Sequence, residues 1–137
     1  MIAAVCDWHE HHAAASAEID VRLNRGESLV AAGPALVEAY AVLTRLPPPG
    51  RLSPRIAFAI LDASFAGGEI VALDGGDFRE FLAQATVRSI AGGQIYDAVI
   101  MDCARKGGIG TVLTFNLRHF APLTVPGIQI VEPGTTT

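Results

Sequence analysis

The stretch Gly92–Phe120, GGQIYDAVIMDCARKGGIGTVLTFNLRHF, decides how the chain is read. Its pattern predicts a loop, a helix opening at Tyr96-Asp97, a Gly-rich turn and a short buried strand ending at Asn116. Ile95, Ala98, Val99 and Ile100 are apolar, so the helix is expected to be mostly buried. An Asp in a first turn complements the helix dipole, which is reason enough for Asp97 to stand there. A helix start and a strand end joined by a tight turn are also placed to share one crevice. In open α/β sheets that crevice, outside the carboxyl ends of the strands, is where ligands bind.

Outward from this stretch the chain alternates. Residues 9–24 read as a helix, with Ala15, Ile19 and Leu23 at i, i+4 and i+8. Leu29–Ala32 is too short for a helix and reads as a buried strand. Gly33-Pro34 opens a helix with Pro at its first position, where a missing N–H does no harm. Pro47-Pro48-Pro49 stops it. Ser53-Pro54 starts the next helix, with Ile56, Ile60 and Phe65 expected inward. Glu69–Leu73 is a second strand. Gly75-Gly76-Asp77 leads to a helix from Phe78 to about Ile90 with Phe78, Phe81, Leu82 and Ala85 on one face. After Asn116 come a turn around Arg118-His119-Phe120 and a last strand, IQIV. Strands alternating with helices imply a three-layer α/β fold, a mainly parallel sheet flanked by helices.

At 137 residues the chain is expected to be a single domain, residues 1–137, with a frayed tail over Gly134–Thr137. Half its residues are hydrophobic and 18% are charged, enough apolar material for a core. No apolar run is long enough to span a bilayer, and no signal peptide is evident, so a cytoplasmic protein is expected. Cys6 and Cys103 lack metal-type spacing and read as reduced thiols. Ten basic against fourteen acidic residues give a net charge of −4, which argues against binding nucleic acid by a large basic surface. Arg45, Arg51 and Arg55, and then Arg105, Lys106 and Arg118, recur locally; scattered solvated charge is an equal reading of them.

Three residues carry possible chemistry. Glu38 sits in the otherwise apolar LVEAYAVL helix. A buried lone carboxylate is costly unless paired, protonated or metal-bound. The plain alternative is that Glu38 faces water or pairs with Arg45. Asp97 and Asn116 are each explicable as a helix-start acid and a turn residue. Together the three are the hard oxygen donors that Mg2+ or Mn2+ prefers. Such an ion can activate water and stabilise the charge of a phosphodiester under attack. Asp102 lies roughly 140° around the helix from Asp97 and is expected to be a separate, solvated or salt-bridging acid. His9-Glu10-His11-His12 fails the H-E-x-x-H zinc pattern, because Ala13 stands where the second His is needed. No Walker loop, G-x-G-x-x-G or G-x-S-x-G is present.

The runs AAGPALVEAYAVLTRLP, GGQIYDAVI and LTFNLRHF, in that order, resemble the PIN-domain ribonucleases, in particular the VapC-type toxins of bacterial toxin–antitoxin pairs. The resemblance covers essentially the whole chain. It implies a PIN fold and a Mg2+- or Mn2+-dependent endoribonuclease acting on RNA, usually a homodimer, inhibited by a cognate antitoxin. By this resemblance Glu38, Asp97 and Asn116 are the catalytic and metal-binding residues, with Thr114 assisting through its hydroxyl.

One departure stands out. The family pattern begins with a strand carrying a metal-binding Asp, as in V-D-T-N or V-D-T-S. Here MIAAV runs directly into CDWHEHH, and Asp7 reads as a loop acid. The expectation is a domain shortened at its N-terminus, through a misplaced gene start or a decayed copy, or one in which residues 1–5 form a makeshift strand. The enzyme would then be impaired. A catalytically inactive PIN-like module that binds an antitoxin or RNA is the alternative. A response-regulator-like domain is weaker, since Asp74 alone follows a strand.

Overall fold

The computed structural model describes residues 1–66 and 68–135; the last two residues of the expected frayed tail lie outside them. Contacts divide the chain into two compact units, the first ending at Ile70 and the second beginning at Val71.

The first unit opens with a short helix, α1 (Ile2–Val5), so residues 1–5 are not a makeshift strand. His9–His11 form a turn closed by the His12 N–H on the His9 carbonyl at 2.8 Å, and α2 spans His12–Asn24. Of the face expected to be inward, Ala15 is buried but Leu23 is 47% exposed. Arg22 holds α2 and the following turn together through Glu18 at 2.7 Å and Glu27 at 3.0 Å.

Strand β1 (Val30–Ala32) leads without a break into α3 (Gly33–Arg45). Pro34 is the second helical residue rather than the first, still within the turn whose N–H groups need no helical partner. The helix ends at Leu46, whose extended backbone (φ −51°, ψ 148°) is what a residue before proline adopts.

Ser53 caps α4 (Pro54–Leu61), its hydroxyl accepting the Ile56 N–H at 3.4 Å. A wider π-helical turn, Asp62–Ala66, continues the helix. The inward face is Ala57, Leu61 and Phe65. Phe65 was expected there; Ile56 is instead 50% exposed and Ile60 only partly buried. Pattern alone offers two apolar stripes on this helix, and the buried one carries the small Ala57, which lets α3 approach closely. The core joins Cys6, Ala31, Ala39, Leu43, Ala57, Leu61 and Phe65, with Met1, Ile2 and Val5 against it. Strand β2 (Glu69–Val71) pairs with β1.

In the second unit α5 (Gly75–Val87) begins three residues before the expected Phe78, because Asp74 and Asp77 form a reciprocal capping box. Phe81 and Ala85 are buried, whereas Phe78 and Leu82 are 43% and 56% exposed. Helix α6 (Gln94–Lys106) buries Ala98, Val99, Met101, Cys103 and Ala104. Gly107 follows it against Val71, where a Cβ would come within 2.5 Å of the Val71 Cγ1.

Strand β3 (Thr111–Leu113) pairs in parallel with β4 (Gln129–Val131), Val112 opposite Ile130. Between them lie a one-turn helix, α7 (Leu117–Phe120), and a 3-10 turn, Ala121–Leu123. Among the described residues there are four strands, each three residues long, in two two-stranded ladders.

Candidate metal centre

Asn116 does not end the strand. The last ladder bond runs from the Thr114 N–H to the Val131 carbonyl at 3.0 Å. The Thr114 hydroxyl then accepts the Asn116 N–H, also at 3.0 Å. This side-chain turn takes the backbone out of the strand, so Asn116 becomes the residue before α7. Its carbonyl receives the His119 and Phe120 N–H groups at 3.0 and 3.2 Å. Its side chain is exposed and makes no capping bond.

Asp97 lies in the first turn of α6, where the helix dipole favours its charge. The adjoining Ala98 and Val99 are buried, and the Asp97 side chain retains 18% exposure. Its Oδ2 stands 3.5 Å from Nδ1 of His119, whose side chain is 57% exposed. Helix α7 thus brings His119 to Asp97 and anchors that residue's backbone on Asn116. Sequence reasoning treated Arg118-His119-Phe120 as a turn only. The available signal was spacing: His119 follows Asn116 by three residues, one helical turn.

Glu38 lies in the first unit, exposed on α3 beside Val37, which is 71% exposed. Its side chain faces water, so Glu38 carries no cost of burial. Its charge is felt at the start of the chain. Burial pushes the Met1 amino group below its ordinary pKa, and the Glu38 carboxylate opposes that shift.

The remaining acids have other work. Asp102 accepts from Arg105 Nε at 2.7 Å, the salt-bridging role expected of it. Asp74 and Asp77 share Lys106 while capping α5. Asp7 is exposed in the turn after α1. In the His-rich turn, Nδ1 of His9 accepts the His11 N–H at 3.1 Å, and Nδ1 of His12 lies 2.8 Å from the Ala3 carbonyl. Among the described residues no three His, Cys, Asp or Glu side chains are grouped to hold a metal.

Asp97 and Asn116 are nonetheless donors of the right kind. Mg2+ is commonly held by one or two carboxylates and keeps several waters, and carboxylate and amide oxygens are the donor class it takes.

Comparison with known proteins agrees with the motifs. The PIN domain profile matches residues 1–122. Ribonuclease VapC40 of Mycobacterium tuberculosis strain CDC 1551 / Oshkosh is 40% identical over 119 residues, covering 86% of this chain and 82% of that protein. The same protein from strain ATCC 25618 / H37Rv matches to the same extent. No solved structure matches significantly. The chain therefore belongs to the PIN-domain family, in its VapC-type group. The three-layer α/β class expected from the alternation of strands and helices is that of the family.

Proposed function

We propose that the chain is a Mg2+- or Mn2+-dependent endoribonuclease and the toxin of a type II toxin–antitoxin pair. The observation that carries this reading is its 40% identity, across most of both chains, to a protein named as a VapC ribonuclease. Asp97 and Asn116 supply oxygen donors from α6 and the start of α7, and Glu38 is the acid of the early helix. The ion, when bound, supplies an activated water and offsets charge on the phosphodiester. Asp97 stands in the first turn of α6, where the helix dipole favours a negative charge. The Thr114 hydroxyl accepts the Asn116 N–H and so fixes the backbone from which the Asn116 side chain projects. Arg118, exposed and two residues beyond Asn116, offers a charge to the RNA backbone, a contact that positions rather than specifies.

In this reading the domain is the whole of residues 1–137, cytoplasmic, homodimeric and controlled by a cognate antitoxin.

Purified protein incubated with RNA tests the proposal. Cleavage that requires Mg2+ or Mn2+ and is lost in Glu38→Gln and Asp97→Asn variants is expected. Equal cleavage by wild type and both variants would overturn it. Binding of RNA without cleavage at millimolar metal would favour an inactive binding module.

A further inference from the structure

The corner between α3 and α4 concentrates positive charge in an acidic chain. From Ala39 to Leu61 the sequence holds Arg45, Arg51 and Arg55 and no acidic residue, although the net charge of the chain is −4. All three arginines are exposed, and among the described residues none pairs with a carboxylate. The backbone gathers them. Arg45 is the last residue of α3, the Leu52 N–H returns to the Leu43 carbonyl at 3.0 Å, and Arg55 is the second residue of α4. Arg51 donates from Nε to the Leu46 carbonyl at 2.8 Å, which sets its guanidinium beside the end of α3. The fold itself accounts for two of the three. A helix C-terminus favours the charge of Arg45, and Arg51 satisfies a carbonyl there. Arg55 has no such reason. It stands in the first turn of α4, where the helix dipole opposes a cation, and no acid in that turn offsets it. Three residues on, on the same face of α4, Phe58 is 62% exposed.

We infer that this corner binds single-stranded RNA, with the arginines on backbone phosphates and Phe58 stacked on a base. This deepens the ribonuclease reading given above and rests on it for the choice of polyanion. Guanidinium forks match phosphate oxygens in pairs, which a point charge does not. An exposed aromatic face takes an unpaired base of any identity, whereas the bases of duplex RNA are already stacked on one another. The contact positions the strand and does not select its sequence. It also reconciles an acidic chain with a nucleic-acid substrate, because the positive charge is local.

Fluorescence anisotropy of a labelled single-stranded oligouridylate with the full chain in EDTA reads binding without cleavage. Arg45→Ala, Arg51→Ala and Arg55→Ala combined should reduce the slope of log affinity against log salt by about 2, from three phosphates at roughly 0.7 each. Affinity at about 0.1 M salt should fall at least about tenfold. Arg45→Lys, Arg51→Lys and Arg55→Lys combined should keep the slope, and Phe58→Ala should weaken binding by about fivefold or more without changing it. Far-UV circular dichroism shows that each variant retains the fold. An unchanged slope and affinity in the triple alanine variant, or no binding by wild type, overturns the inference. Metal-dependent cleavage by that variant with the wild-type kcat and KM would likewise overturn it while leaving the ribonuclease reading intact. Arginine-dependent RNA binding by a chain that never cleaves would uphold it and remove the nuclease. Poly-glutamate bound as tightly as the oligouridylate, and lost to the same degree in the triple alanine variant, would overturn RNA as the ligand.

Discussion

Asp97 and His119 meet at 3.5 Å across α6 and α7, and Asn116, which precedes α7, receives the His119 backbone N–H on its carbonyl. Two residues singled out in the sequence are thus joined by a third that was not. The first prediction follows from that arrangement. Asp97→Asn keeps the shape of the side chain and removes its charge, so RNA cleavage should fall by about 100-fold or more, the scale expected for losing a metal donor. Thermal stability should change little, since the ion pair lost is with a half-exposed ring. Initial rates on a defined RNA, measured beside melting curves, check both halves.

Asp74 caps α5 by accepting the Gly76 and Asp77 N–H groups, each at 2.9 Å. The Asp77 N–H, and then Lys106, hold its carboxyl below the ordinary 3.8. A depressed folded pKa means stability that is fully present above the unfolded value and lost as pH falls through the folded one. Asp74→Ala should lower the melting temperature by roughly 4 °C at neutral pH. That difference should persist from neutral pH down to about pH 4 and shrink in more acidic solution. Lys106 runs the other way. Its bond to Asp77, and then its contact with Asp74, raise its pKa above 10.5, so its contribution fades only as pH climbs beyond that value. Melting of wild type and Asp74→Ala across the pH range tests the sign.

Gly107 is needed for lack of a side chain. An added Cβ would lie 2.5 Å from Val71 Cγ1 and 3.2 Å from Val71 Cβ, and a β-branched side chain has little freedom to yield. Gly107→Ala should destabilise by about 1–3 kcal/mol, the usual cost of overpacking. Gly107→Ala combined with Val71→Ala should recover part of the loss. Denaturant unfolding of the two variants measures it.

Leu43 is fully buried and Val37 is 71% exposed, yet both lie on α3. Leu43→Ala should cost about 3 kcal/mol through lost burial and the cavity left behind. Val37→Ala should stay within roughly 0.5 kcal/mol, as surface substitutions do. The same unfolding measurement separates them, and equal losses would contradict the assignment of faces on α3.

Cys6 and Cys103 are both free and buried, and burial raises the pKa of each thiol, with Asp7 adding to the effect at Cys6. Neither should be readily attacked by a thiol reagent at neutral pH, because the thiolate is the reactive form. Both should react at once in denaturant; rapid modification of the native protein would count against this burial.

Where the backbone's own chemistry decides, the sequence was enough. Gly33-Pro34 and Pro47 bracket α3, Ser53-Pro54 opens α4, and the apolar run after Asp97 marks α6, because steric and hydrogen-bonding constraints act within a few residues. The ordered motifs around Glu38, Asp97 and Asn116 likewise sufficed to identify the PIN family. Tertiary structure decided the rest. Ile56 and Ala57 are equally plausible inward residues until α3 packs against Ala57. Glu38 reads as a buried acid in an apolar helix until the exposed face of α3 is known. The Asp97–His119 approach joins residues 22 positions apart and depends on where α7 turns, which no local propensity specifies. Burial and side-chain convergence are properties of packing between elements, and only the folded chain fixes them.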